Sequence, residues 1–172
     1  MRACLAIPLI CGLLHAQSPK LDQDSAFVEA ASAGVKGEFQ LAQLAEQKAA
    51  NEMVKDLAKR VLIDEMNVHA DLAELAAENG MALAQSQNAK DRALQDTLSS
   101  LSGPLFDSAF VSALMGNYRD AIQQFQKEAD TGRNEKVKAF AAQTLPVLRE
   151  HLRLAEDAGS KLGFNSNQAG GR

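Results

Sequence analysis

The sequence predicts an all-α fold, and three observations carry that prediction. Alanine, leucine, glutamine, lysine and glutamate, all strong helix formers, dominate a chain with only four prolines. Four long stretches repeat their apolar residues every three to four positions, the spacing that gathers them on one side of a helix. No series of short, alternating, β-branched segments competes with that pattern. With 172 residues, 46% of them hydrophobic, the chain has material for one domain with a packed core.

Residues 1–16 read as a signal peptide. Arg2 supplies a positive start, Ala3 to Leu14 is almost wholly apolar, and Leu14-His15-Ala16 offers a small residue before polar Gln17-Ser18-Pro19-Lys20. The apolar run is shorter than the about 20 residues that a membrane span requires. The charge–apolar–polar order also argues against a buried N-terminal helix. Cys11 raises the alternative of lipid modification, but bacterial lipoprotein signals place a small residue before the cysteine, and here Leu9-Ile10 stands there. Cleavage near Ala16 would remove Cys4 and Cys11, leaving a mature chain without thiol chemistry or disulfides. The expected location is outside the inner membrane, periplasmic or outer-membrane associated.

The first long segment runs from about Asp24 to Lys48, with Phe27, Ala31, Gly34, Leu41 and Ala45 on its stripe. The second follows the N-cap candidate Asn51, from about Glu52 to Glu78, and stops at Asn79-Gly80. Its stripe is Val54, Leu57, Val61, Val68, Leu72 and Leu75. The third begins after Ser102-Gly103-Pro104 and runs to about Ala129, along Phe110, Leu114, Ile122 and Phe125. The fourth starts near Asn134 and ends near Lys161, along Val137, Phe140, Ala141, Leu148 and Ala155. Short links near Ala50 and Gly132 make each pair antiparallel neighbours. Between the second and third segments lies a long link, Gly80 to Pro104, with its own helical stretch at Lys90–Leu101. The expected architecture is therefore a ferritin-like four-helix bundle with one long crossover between helices 2 and 3, carrying a short extra helix. It would occupy residues 17–164, and the glycine-rich polar tail, 165–172, is expected to be disordered. No internal repeat stands out.

Each stripe holds one polar residue. These are Glu38 between Gly34 and Leu41, Glu65 between Val61 and Val68, Tyr118 between Leu114 and Ile122, and His151 between Leu148 and Ala155. Glu38 lies 12 residues before Ala50 and Glu65 lies 15 after it. At ~1.5 Å per residue their heights differ by roughly 4.5 Å. The same count about Gly132 separates Tyr118 and His151 by roughly 7.5 Å. The four groups are expected in one layer, where buried carboxylates need partners.

Two readings of the layer stand side by side. In one, Glu38, Glu65 and His151, with His69 and Tyr118 as further candidates, bind a metal; carboxylate and imidazole suit iron, manganese or zinc. In the other, the two glutamates pair with His151 and the Tyr118 hydroxyl in a closed network that fixes helix register. Dinuclear carboxylate bundles use Glu-x-x-His, which is absent here: Glu65 and His69 are four apart, and Leu148 stands three before His151. Gly34 and Gly37 are read as points of close helix approach, or alternatively of access to the polar layer, and Pro146 as a kink before His151.

Other function classes find little support. The formal charge is −4, and −5 once Arg2 is removed, with no basic block and few aromatic residues, so nucleic-acid binding is not expected. Phosphate-loop, nucleophile-elbow and His-Glu-x-x-His motifs are missing. No transmembrane helix is expected in the mature chain, although an exposed apolar face could associate with a membrane.

Phe27-Val28 with Ala30-Ala31, Gly37-Glu38, Leu44-Ala45, Asp64, Leu101-Ser102-Gly103 with Phe106-Asp107, and Leu145-Pro146-Val147-Leu148-Arg149-Glu150-His151 together resemble a bacterial family of exported proteins, the domain-of-unknown-function 4142 family. The resemblance covers about Ser25 to Ala155 and implies a ferritin-like fold and export, with no assigned reaction. That family usually has Asp-His in its second and third helices, where this chain has Asp64-Glu65 and Asn117-Tyr118; the last histidine is kept as His151. The expectation is a non-catalytic envelope, stress-related or interaction protein, with a metal-binding or redox protein as the alternative. Partner and oligomeric state are left open.

Overall fold

The computed structural model describes residues 22–164. The expected signal peptide and the expected disordered tail both lie outside the described residues. Five helices, and no strand, are found among the described residues: α1 (Gln23–Lys48), α2 (Glu52–Asn79), α3 (Ala89–Ser99), α4 (Gly103–Thr131) and α5 (Glu135–Lys161).

Local chemistry sets the ends. The side chains of Asp22, Asn51, Asn88 and Asn134 accept the first free N–H groups of α1, α2, α3 and α5. Helix α2 ends at Gly80, whose φ of 64° is a left-handed turn that lets Met81 N–H donate to Ala76 O at 2.9 Å. Helix α5 is unbroken through Pro146, whose ring is exposed, so the missing N–H costs one ladder bond and no core contact.

Each long helix packs on two others: α1 on α2 and α4, and α5 on α2 and α4. Polar contacts at the helix ends give the directions. Gln23, opening α1, donates to Glu128 and Thr131 near the end of α4. Asn134, leading into α5, donates to Asn79 at the end of α2. So α1 runs antiparallel to α4, α2 antiparallel to α5, and the 80–102 connection joins helices that run the same way. Within it, α3 packs on α1 and α4. Phe27 meets Phe125 edge-on at 4.9 Å, and Phe125 meets Phe140 at 6.1 Å, so one aromatic cluster joins α1, α4 and α5.

The fold corrects the expectation of no internal repeat. Asp24-Ser25-Ala26-Phe27-Val28 opens α1, and the same five residues, Asp107-Ser108-Ala109-Phe110-Val111, recur 83 positions later in α4. Arg133 and Asn134 N–H donate to the Asp24 carboxylate at 2.8 and 3.1 Å. Ala50 and Asn51 N–H donate to the Asp107 carboxylate at 3.0 and 2.9 Å. Ala50 and Arg133, like Asn51 and Asn134, are also 83 positions apart. Each hairpin thus sends an aspartate into the turn of the other. Val54 and Val137, and Ala58 and Ala141, are buried at matched positions.

Candidate functional site

All four stripe-interrupting residues turn inward. Glu38, Glu65, Tyr118 and His151 are 7%, 4%, 1% and 1% exposed. Glu38, Glu65 and Tyr118 border one cavity of about 130 Å³, which residues of α1, α2, α4, α5 and the start of α3 line. His151 lies behind it, its ring 5.1 Å from that of Tyr118. His69 is placed elsewhere, half-buried in a second hollow beside Val35, Phe39 and Glu65, and Val35 and Glu65 border both spaces.

Two hydrogen-bonded chains hold the layer, and neither links the four residues to one another. In the first, Asn117 Nδ2 donates to Glu38 Oε1 at 2.7 Å and to Asp91 Oδ1 at 3.2 Å. Asn88 Nδ2 donates to Asp91 Oδ2 at 2.6 Å, and Asp91 N–H donates back to Asn88 Oδ1, tying the start of α3 to the site. Burial, reinforced by the charge of Asp91 and opposed by the Asn117 hydrogen bond, pushes the Glu38 carboxyl up to about 8. Burial and the charges of Glu38 and Asp64 raise Glu65 well above the carboxylate range. Both glutamates therefore keep their protons at neutral pH.

In the second chain, Arg60 Nε and His151 Nε2 meet the same oxygen, Asp64 Oδ2, at 2.6 and 2.9 Å. Burial pushes Asp64 up, but the hydrogen bonds from His151 and Arg60 and their charges outweigh it and hold the carboxyl low. Burial depresses His151 despite the favourable carboxylate, so the ring is neutral near pH 7. With Asp64 ionised, the imidazole proton sits on Nε2 and donates to it. His151 Nδ1, Glu38 Oε2 and the Tyr118 hydroxyl are buried without a protein partner.

The expected direct pairing of Glu38 and Glu65 with His151 and Tyr118 is thus replaced by contacts to Asn117 and Asp64. Those two residues were named only in the family resemblance and not as site candidates, because they are half-buried and lie one position off the stripe, each just before a stripe residue. Among the described residues, no three His, Cys, Asp or Glu side chains converge as a metal-ion set. Gly34 and Gly37 also part company. A Cβ on Gly37 would lie 2.3 Å from Asp91 Oδ2, so its bare backbone admits α3, whereas a Cβ on Gly34 would meet nothing within 4 Å. Gly34 borders the cavity instead.

No described helix is long and apolar enough to cross a membrane. Among known proteins, the family model described as Domain of unknown function (DUF4142) matches residues 13–158. Two solved structures share the fold. One is a DUF305 fragment from Deinococcus radiodurans, at TM-score 0.73 and 15% identity, covering 83% of this chain and 99% of that one. The other is a DUF305 protein from Streptomyces coelicolor whose description proposes that it is secreted, at TM-score 0.71 and 14% identity, covering 82% and 92%. No curated protein matches the chain.

Proposed function

The chain belongs to the DUF4142 family, and we propose that it is an exported, ferritin-like bundle protein without a catalytic role, acting in the envelope as a structural, stress-related or interaction protein. One observation carries this reading. His151 and Glu38, the strongest ligand candidates, are tied to Asp64 and Asn117, and the two glutamates hold protons rather than free carboxylate charge. Such a layer fixes the rotation of four helices about their axes. The parallel course of α2 and α4 across a long connection supports the ferritin-like description. Export rests on the pattern of residues 1–16, with 17–164 as the folded part and 165–172 as a polar tail; the proposed secretion of the Streptomyces protein agrees with it. Purified protein, stripped of metal and then given Fe²⁺ or Mn²⁺, should take up none stoichiometrically and consume neither oxygen nor peroxide. Stoichiometric uptake with turnover would overturn the proposal.

A second reading draws on the buried atoms without partners on Glu38, His69, Tyr118 and His151. Glu38, Glu65 and His151, with His69 and Tyr118 in support, would bind iron, manganese or zinc after small side-chain rotations. Elemental analysis of protein from its host, set beside a Glu65→Ala, His151→Ala double variant, tests it. Metal in the wild type alone supports this reading; none in either removes it.

A further inference from the structure

The cavity between Glu38 and Tyr118 is lined by acidic groups, yet among the described residues no three of them converge as a metal-ion set. Four acidic side chains border it: Glu38, Glu65, Asp91 and Asp120. The single cation on its wall, Lys90, turns to the exposed rim and pairs with Asp120 at 2.6 Å. Two of the lining residues, Glu38 and Tyr118, each hold a polar atom, Oε2 and the hydroxyl, that is buried without a protein partner, on side chains only 7% and 1% exposed. Buried acceptors of this kind are costly unless something donates to them. The remaining wall includes Ala31, Val35 and Phe125, which are apolar.

We propose that this cavity binds a small primary alkylammonium compound, its head among Glu38, Glu65 and Tyr118 and its short aliphatic body on Ala31, Val35 and Phe125. The proposal goes beyond both readings above, neither of which includes an organic ligand. An ammonium carries three N–H donors for three acceptors. Its hydrogen bonds of about 2.7–3.2 Å tolerate spread-out partners, whereas a transition metal draws its ligands to about 2 Å. The volume also suits it: a cavity of about 150 Å³ takes a benzene-sized molecule, and this one is about 130 Å³.

Ionisation of Glu38 accompanies binding. The groups around it are Asp91 and Lys90 of α3, Glu65 of α2, and Asn117 and Tyr118 of α4. Because Glu38 holds its proton to about pH 8, the ligand must displace it at neutral pH, and affinity rises with pH while the amine stays protonated.

Calorimetric titration of the purified chain with n-butylammonium chloride, with n-butanol as the uncharged control, tests this. The expected result is saturable one-to-one binding of the amine alone, about tenfold tighter at pH 9 than at pH 7. Glu38→Gln and Tyr118→Phe should each weaken it at least about tenfold while helical circular dichroism is unchanged. Tyr118→Phe, which keeps the ring, decides the matter should Glu38→Gln fail to fold. Absence of saturation by about 10 mM, equal binding of butanol, or undiminished affinity in Tyr118→Phe would each overturn the proposal.

Discussion

A glutamate buried beside another glutamate and an aspartate has two ways to avoid an unpaired charge: it can keep its proton or acquire a cation. Glu38, without a ligand, keeps the proton to about pH 8. Its folded value lies above the unfolded 4.5, so its stabilising contribution is complete below pH 4.5 and is lost as pH rises to about 8. His151 behaves in the opposite way. Its folded value is depressed below 6.5, so its contribution is present above that pH and is lost as acid is added. Between pH 5 and pH 9, Glu38 alone should lower stability by on the order of 3–5 kcal/mol. Glu38→Gln keeps the shape and removes the titration. Urea denaturation at pH 5, 7 and 9 should show the variant more stable than wild type at pH 9 and similar at pH 5. Parallel pH profiles for the two proteins would mean that Glu38 is ionised in the fold.

At the scale of a helix, α1 carries two glycines one turn apart that serve opposite ends. Both lie on its inner side, and helical periodicity alone assigns them the same reason, close approach of a neighbour. Only Gly37 has that reason, because Asp91 of α3 fills the space a Cβ would take. Gly37→Ala should cost roughly 1–3 kcal/mol by forcing α3 outward. Limited proteolysis should then cut the 80–102 connection faster. Gly34→Ala meets open space and should add up to about 1 kcal/mol of helix propensity. If both substitutions destabilise alike in equilibrium denaturation, the distinction fails. The helices themselves were legible because their signals are local: Asn51 caps α2 as expected, α5 starts next to Asn134, and Gly80 ends α2. Helix α3 also lies within a residue or two of its expected span. The missing information concerned which neighbour each inner position would face.

For the whole molecule, the reciprocal aspartate clamps join the two hairpins at opposite ends of the bundle. Asp24→Ala and Asp107→Ala each deprive two backbone N–H groups of their acceptor and should each cost roughly 1–3 kcal/mol. The sites share no partner, so the double variant should lose about the sum of the single losses, within about 0.5 kcal/mol. A negligible loss from either single variant in urea denaturation would show that its turn closes without the clamp. Asp24 has a further contact that Asp107 lacks. Burial and the neighbouring Asp24 carboxylate both raise Glu128, so loss of Asp24 should ease the ionisation of Glu128.

The amino-acid sequence by itself determined where the long helices run, how they begin and end, and that Glu38, Glu65, Tyr118 and His151 point into the core. Those properties follow from neighbours within about one helical turn. Only the tertiary structure decided that Asp64 holds His151, that Asn117 serves Glu38 and Asp91 together, and that Asp24 and Asp107 exchange turns. Successive residues point about 100° apart around a helix, so a small rotation or slide between helices decides whether Asp64 or Glu65 meets the imidazole. That rotation is set by packing between helices distant in the chain, which no local periodicity records.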